Sequence, residues 1–170
     1  MSLLNGLAQW FMEVAGWAAQ LGYLGAFVIG FISSFTLFLP TPAFAVVFLM
    51  AAGGLNPLAL GVAAGLGAAA GELLGFAIGY GTRQLLVKKY KKELENIEKL
   101  FQKYKGWLVI FVFAATPLPF DVVGIFCGNI GYPVKTFALA TAAGKIVKYL
   151  AIALAGFYGI QWLSSLLVVE

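Results

Sequence analysis

The sequence contains no histidine, a single cysteine and few charges. Without histidine or paired thiols it cannot supply a zinc or haem site, a Ser-His-Asp triad or a disulfide framework. We therefore expect no metal site, no cofactor and no catalytic residue. Only 11% of the 170 residues are charged and 62% are hydrophobic, against about 25% and about 45–50% in soluble domains. Eleven basic and seven acidic residues cannot solvate such a chain, which predicts an all-α integral membrane protein with one domain, 1–170.

The positive charges are concentrated in one stretch of the chain. Eight of the eleven Lys and Arg residues lie between 83 and 105, whereas 1–82 and 149–170 contain none. By the positive-inside rule the linker, 83–106, is cytoplasmic and both termini are non-cytoplasmic, which predicts a multi-pass protein of the cell membrane. The net charge of +4 is then directed at lipid, and no nucleic-acid partner is expected.

The linker has apolar residues at spacings of three and four, which predicts an amphipathic helix on the membrane surface. Its lysines would contact anionic lipid head groups. A solvated linker helix without a lipid role is the alternative. Residues 1–22 begin without a basic segment or a small-residue cleavage site, which argues against a signal peptide. A thin polar line between their apolar positions predicts a helix at the membrane interface.

Two apolar blocks, 23–82 and 107–163, are each interrupted by a Pro-x-Pro sequence. The apolar segments beside the first break have roughly fourteen residues each, short of the ~20 that a membrane-spanning helix needs. Two such prolines also cannot both lie inside a regular helix. We predict a re-entrant helical hairpin in each block, followed by a transmembrane helix; two full kinked spans are the alternative. The hairpin breaks are at Pro40, Pro42, Pro117 and Pro119.

The two blocks repeat in order. Each has its Pro-x-Pro break, then Asn-Pro or Tyr-Pro, and then Gly71-Glu72 or Gly144-Lys145. One hairpin and one span carry the chain across the membrane once, so the second copy starts on the opposite face. This predicts two inverted repeats, an architecture of many secondary transporters.

Four charges fall at membrane depth: Glu72, Asp121, Lys145 and Lys148. Glu72 and Lys145 are predicted to lie about 15 Å from the cytoplasmic face, and Lys148 shares a helix face with Lys145. Because intramembrane charges are costly, they are candidate substrate- and ion-binding residues. A buried ion-pair network that only fixes helix positions is the alternative.

The order of these motifs resembles the DedA family, also called the SNARE-associated Golgi or VTT-domain family. The closest similarity is to its small YqaA-like branch, through Pro117, Asp121, Cys127-Gly128 and Gly144-Lys145-Ile146-Val147-Lys148-Tyr149. The resemblance implies two facing re-entrant hairpins and movement of lipids between leaflets, with proton or sodium coupling in bacterial members. It places Glu72 at the family's acidic position.

The chain departs from the family pattern beside both hairpin breaks. Ala43 and Phe44 stand where the family has an acidic residue, and Ala114 and Phe120 stand where it has arginines. Those arginines are the natural phosphate ligands, so a polyprenyl-phosphate substrate is put in doubt. Lys145 and Lys148 could supply positive charge instead, without the bidentate geometry of arginine.

We therefore predict a flippase- or scramblase-type transporter of a lipid or lipid-linked phosphate, proton- or sodium-coupled. An ion-coupled carrier of a small anionic solute is the alternative. An intramembrane enzyme is disfavoured because no Ser or Cys lies beside a plausible base. A structural or homo-oligomer-forming protein is a further alternative, based on the closely spaced glycines of 61–81.

Overall fold

The computed structural model describes residues 3–35, 43–103, 105–116 and 120–167, and these ranges consist of seven helices joined by short turns. No strand occurs in these ranges, which confirms the predicted all-helical class. The four prolines of the hairpin breaks lie outside them. In chain order the helices are α1 (Leu3–Gln20), α2 (Tyr23–Phe35), α3 (Ala43–Ala52), α4 (Pro57–Lys103), α5 (Gly106–Ala115), α6 (Asp121–Ile130) and α7 (Val134–Leu167).

The helices fall into two length classes. α2 has 13 residues, and α3, α5 and α6 have 10 each, which gives them lengths of about 15–20 Å. The hydrocarbon core of a bilayer is about 30 Å thick. Among the described residues, α4 and α7 alone contain stretches long and apolar enough to cross it, Pro57–Arg83 (27 residues) and Val134–Gly159 (26 residues).

The linker is not a separate helix. The sequence predicted a surface helix over 83–106, but α4 runs for 47 residues without interruption and carries the linker as its continuation. Residues 82–103 contain neither Pro nor Gly and are rich in Lys, Glu, Gln and Leu, which favour helix. Nothing in this composition therefore ends the helix before Lys103, and Lys105 beyond it has a positive φ of 51°.

The short helices pack on the long ones in a crossed order. We call α2 and α5 the first arms, α3 and α6 the second arms, and the apolar stretches of α4 and α7 the spans. Each first arm packs on the span of its own half, α2 on α4 and α5 on α7. Each second arm packs on the span of the other half, α3 on α7 and α6 on α4, and the spans pack on each other. This crossed packing joins the two halves into one bundle.

The turn after each second arm has the same structure in both halves. Gly54 and Gly131, 77 residues apart, both adopt positive φ, at 96° and 69°, a conformation that glycine adopts without steric cost. The same pair of backbone hydrogen bonds closes each turn. They are Gly54 N–H to Ala51 O (3.0 Å) and Leu55 N–H to Met50 O (3.3 Å), and Gly131 N–H to Gly128 O (3.1 Å) and Tyr132 N–H to Cys127 O (2.9 Å).

The contacts between the halves recur at the same separation. Gly79 of α4 lies against the backbone of Ile125 in α6, and 77 residues later Gly156 of α7 lies against the backbone of Phe48 in α3. At that separation the counterpart of Glu72 on α7 is Tyr149.

The match of Gly71-Glu72 with Gly144-Lys145 in the sequence is therefore out by one helical turn. Gly67, four residues before Gly71, is the residue that precedes Gly144 by 77 positions. Because glycines recur one turn apart on α4, both alignments satisfy the local pattern.

Glycines bring the spans into close contact. A Cβ atom on Gly65 would lie 2.6 Å from the Cα of Ile146, and one on Gly61 would lie 2.7 Å from the Cα of Leu150. Both distances are shorter than the closest approach of two non-bonded carbon atoms. α4 and α7 can therefore approach this closely only because these positions have no side chain.

Buried apolar residues form two clusters with a polar layer between them. One cluster joins α2 and α3 to both spans, and the other joins α5 and α6 to both spans. On α4, Ala68 belongs to the first cluster and Phe76 to the second. Glu72 lies between them, and Lys145 has the same position on α7.

Candidate functional site

Glu72 and Lys145 form an ion pair inside the bundle. Lys145 Nζ donates to Glu72 Oε1 at 2.5 Å. Glu72 is 2% exposed and Lys145 is 5% exposed. Removing two charges from water costs several kcal/mol for each ion, and their attraction offsets this only when the geometry is good. The spans are therefore held in register here by two groups that cannot be buried separately.

The pair lies at one depth in the two spans. Glu72 precedes Arg83 by eleven residues and Lys145 follows Val134 by eleven, which places both about 16 Å from the linker-side ends of the apolar stretches. The sequence brought these two residues to the same depth, and the structure brings their side chains into contact.

The second carboxylate oxygen of Glu72 has no hydrogen-bond partner among the described residues, although it is buried. A buried acceptor left in this way costs about 1–3 kcal/mol, more when it is charged. The structure therefore presents one free position on an intramembrane carboxylate, where a proton or a donor group can bind.

Lys148 lies beside the pair but has no ion-pair partner among the described residues. Its Nζ donates to the carbonyl oxygen of Thr116, at the end of α5, at 3.4 Å. The same Nζ lies 5.0 Å from the ring centroid of Phe44, at the start of α3, within cation–π range. Lys145 makes a corresponding contact, with its Nζ 5.0 Å from the Phe120 ring.

Asp121 completes the charged set at the first residue of α6. Its side chain is half-buried, and its charge interacts with those of Glu72 and Lys148. A carboxylate in the first turn of a helix also interacts favourably with the helix dipole. All four charged residues predicted from the sequence thus lie in one electrostatic neighbourhood.

Each of the four arms contacts α7 here, through its end nearest the Pro-x-Pro break or through the residue that flanks that end. Ser33 of α2 makes a hydrogen bond of 3.3 Å between its Oγ and the Tyr149 hydroxyl, and the rings of Phe44 and Tyr149 are 5.7 Å apart. Thr116 follows α5 and Phe120 precedes α6, and they contact Lys148 and Lys145 as described above.

Sequence reasoning missed Ser33, Phe44 and Tyr149 as members of this group. One signal could have found Tyr149, because it follows Lys145 by four residues and so shares its helix face. The other two come from a different helix each, and no spacing along the chain connects them to α7. The roles of Pro40, Pro42, Pro117 and Pro119 stay predictions, because these residues lie outside the described ranges.

Aromatic rings separate the pair from the linker-side end of the bundle. Phe76, one turn beyond Glu72, has its ring centroid 4.8 Å from that of Phe137, which in turn lies 6.0 Å from Phe120. All three residues are buried. In this conformation the pair is closed off on that side by a layer of three rings.

The fold and the site are those of a helical membrane protein with charges at the centre of its bundle. A sequence model of the VTT domain matches residues 39–158, which include both Pro-x-Pro breaks, both second arms, and Glu72 and Lys145. The chain therefore belongs to the VTT-domain, or DedA, family of membrane-associated, transporter-like proteins, which are generally not enzymes. No curated protein and no solved structure matches it.

Proposed function

We propose that this protein moves a lipid, or a lipid-linked phosphate, between the leaflets of the cell membrane. One observation carries the proposal: a buried Glu72–Lys145 pair with an unpaired lysine beside it, where the four arms converge. A purely structural pair does not account for Lys148, a half-buried lysine that forms no ion pair among the described residues, although Glu72 and Asp121 lie within range of its charge. A phosphate group would form the ion pair that Lys148 lacks.

We further propose that each pair of arms is a re-entrant hairpin and that the halves are inverted repeats. The support is the length of the arms, about 15–20 Å each, and the recurrence of turns and contacts after 77 residues. Irregular backbone at membrane depth is tolerated where it is buried in protein or lines a wet cavity. Convergence on a charged site at mid-depth meets that condition.

The family departures near the breaks support a phosphate site built on α7. Phe44 and Phe120 stand where the family has charged residues, and each ring lies 5.0 Å from a lysine Nζ of α7. The positive charge therefore comes from the span instead of the hairpin. A lysine acts as a point charge and does not impose the bidentate geometry of arginine, which favours tolerance towards different phosphate head groups.

Proton coupling would work through the free oxygen of Glu72. A proton bound there neutralises the carboxylate and weakens its hold on Lys145, which can then turn to the phosphate beside Lys148. When the phosphate leaves, Lys145 returns to Glu72 and the proton is released. Asp121, whose charge interacts with those of Glu72 and Lys148, repels a bound phosphate and so favours its release.

The test is transport in liposomes containing the purified protein and a fluorescent phospholipid or polyprenyl phosphate in both leaflets. We expect exchange between leaflets above that of empty liposomes, accelerated by a proton gradient. Lys148→Gln should slow exchange about tenfold, as expected for loss of a charged hydrogen bond, and Lys148→Arg should restore part of it. Lys99→Gln, which changes an exposed lysine of α4, is the matched control.

Glu72→Gln separates coupling from transport. It cannot exchange a proton, so exchange should become independent of the proton gradient. A dependence on a sodium gradient instead would assign the coupling to sodium. A protein whose exchange equals that of empty liposomes, with Glu72→Gln indistinguishable from the native chain, would overturn the proposal.

The alternative is a carrier of a small anionic solute. It would use the same lysines, because Lys148 can form an ion pair with any anion that reaches it. Addition of a water-soluble phosphate ester distinguishes the two functions. It should saturate a solute carrier and suppress transport, whereas lipid exchange should continue.

A further inference from the structure

A groove on the outer side of the bundle is separate from the charged site. It has a volume of about 520 Å³ and lies between α4 and the start of α7. Three of its residues, Ala77, Tyr80 and Val134, are exposed, so the groove opens outward. Its walls are formed by Leu73, Phe76, Ala77, Tyr80, Tyr132 and Val134.

The groove lies at membrane depth at one end and at the membrane surface at the other. Residues 73–80 extend about 10 Å along α4, inside the apolar stretch that ends at Arg83. The inner wall is formed by Leu73, Phe76 and Ala77. Tyr80 and Tyr132 line the end of the groove nearest the linker, and tyrosine is enriched at the level of lipid head groups. The groove is therefore apolar at membrane depth and more polar near the membrane surface, in the same order as the tail and the head group of a phospholipid.

Arg83 lies at the end of the groove nearest the linker. It follows Tyr80 by one turn and Phe76 by two, so it lies on the same face of α4. Its guanidinium group reaches the turn between α6 and α7, where a Cβ atom on Gly131 would lie 2.7 Å from Arg83 Cζ. Arg83 is exposed, so its guanidinium group lies between the two walls at this end of the groove and remains accessible to a bound phosphate.

The charge at this end is of one sign. Lys135, exposed on the first turn of α7, directly follows Val134 of the groove wall. The sequence contains no Asp or Glu in 73–92 or 122–144. An anion bound here would therefore meet two cations and no carboxylate from the segments that form the groove.

We propose that this groove binds one anionic phospholipid, with an acyl chain along residues 73–80 and the phosphate on Arg83, assisted by Lys135. The site does not depend on the proposed transport function, because Glu72 faces the interior of the bundle and the groove faces outward. It also differs from general attraction of lipid to the basic linker, since the groove must hold an acyl chain and Arg83 must bind the phosphate of the same lipid molecule.

The test is native mass spectrometry of the full-length chain, with phosphatidylglycerol and phosphatidylcholine in competition. We expect a preference of about fivefold for phosphatidylglycerol, the contribution of roughly one cation near a membrane surface. Arg83→Gln should remove this preference while both lipids still bind. Lys99→Gln, an exposed cation away from the groove, should keep it.

Ala77→Trp fills the groove and should reduce the binding of both lipids. Its matched control is Ala151→Trp, which changes an exposed alanine of α7 outside the groove. If Ala77→Trp does not fold, Val134→Trp at the exposed rim makes the same test. Lipid binding by either groove variant at the native level would overturn the proposal.

Two further measurements identify the ligand and the place. Glycerol phosphate, which has no tail, should not displace phosphatidylglycerol; displacement would show a free-anion site and contradict the proposal. A phosphatidylglycerol that carries a photoreactive group in its acyl chain should label residues 73–80 of the native chain. Labelling of α7 around Tyr149 instead would place the lipid at the central site and not in the groove.

Discussion

Glu72 and Lys145 illustrate how two costly residues stabilise each other. Neither has another ion-pair partner among the described residues, and each is at least nine-tenths buried. Loss of one member leaves the charge of the other without its ion-pair partner in a medium of low polarity, whereas loss of both removes both charges of the pair. The dependence is therefore mutual, and single and double substitutions should not add.

We predict that Glu72→Leu and Lys145→Met each lower the free energy of unfolding by about 3–5 kcal/mol. The double variant should be close to the native chain in stability, because two apolar side chains fill the space of the pair. Unfolding in detergent micelles measures this, and lipid exchange should be lost in all three. A double variant with the summed loss would contradict the mutual dependence.

Tyr149 has a smaller role that can be isolated. Its hydroxyl, 3.3 Å from Ser33 Oγ, connects α7 to the break-side end of α2. We predict that Tyr149→Phe and Ser33→Ala each lower stability by about 1 kcal/mol, and that the double variant loses no more than either alone. A double-mutant cycle provides the measurement. Independent, additive losses would show that the hydrogen bond carries no energy.

At the scale of helices, close backbone contact is what the second arms require. Gly79 of α4 lies against the Ile125 carbonyl of α6, and Gly156 of α7 lies against the Phe48 carbonyl of α3. A Cβ atom at either position would overlap backbone, which cannot move aside as a side-chain end can. The arm must then shift away from the span.

We predict that Gly79→Ala and Gly156→Ala each lower stability by about 1–3 kcal/mol through overpacking. Gly75→Ala is the control, since a Cβ atom there meets nothing within 4 Å, and alanine favours helix by up to about 1 kcal/mol over glycine. Thermal unfolding in micelles should separate the two classes. Equal behaviour of Gly79→Ala and Gly75→Ala would contradict the packing argument.

The helices themselves were largely predictable, because their signals are local. Apolar runs and the Asn56-Pro57 and Tyr132-Pro133 pairs indicated the two spans. The sequence does not predict the continuity of α4, because the composition changes from apolar to charged at Arg83 and such a change is typical of a boundary between elements. Composition changes with the environment of a helix, whereas a helix ends only where backbone conformation changes. α4 ends at Lys103, and Lys105 beyond it has a positive φ.

At the scale of the molecule, the candidate site was only partly predictable. Counting residues along two helices gave the common depth of Glu72 and Lys145, because the rise of a helix is constant. Ser33 and Phe44 could not be found in this way. They reach α7 through the crossed packing, which is a relation between distant segments and leaves no periodic signal in either one. The same reason explains the register error of one turn.

The orientation of the bundle is predicted from the distribution of charge and can be measured directly. The single cysteine, Cys127, is buried, so it should give little background with a membrane-impermeant thiol reagent. We predict that Lys105→Cys is labelled only from the cytoplasmic side and Gln20→Cys only from the opposite side, since both positions are exposed. Labelling of both from one side would refute the predicted topology.

The crossed packing has the form of an isologous dimer interface, in which each partner gives and receives the same element. Two separate chains of half this length could exchange their second arms in the same manner. Such a dimer would form only at sufficient concentration, whereas the extension of α4 makes the encounter intramolecular and fixes its effective concentration. A chain cut within that extension would retain every contact of the exchange, but its assembly would then depend on dilution.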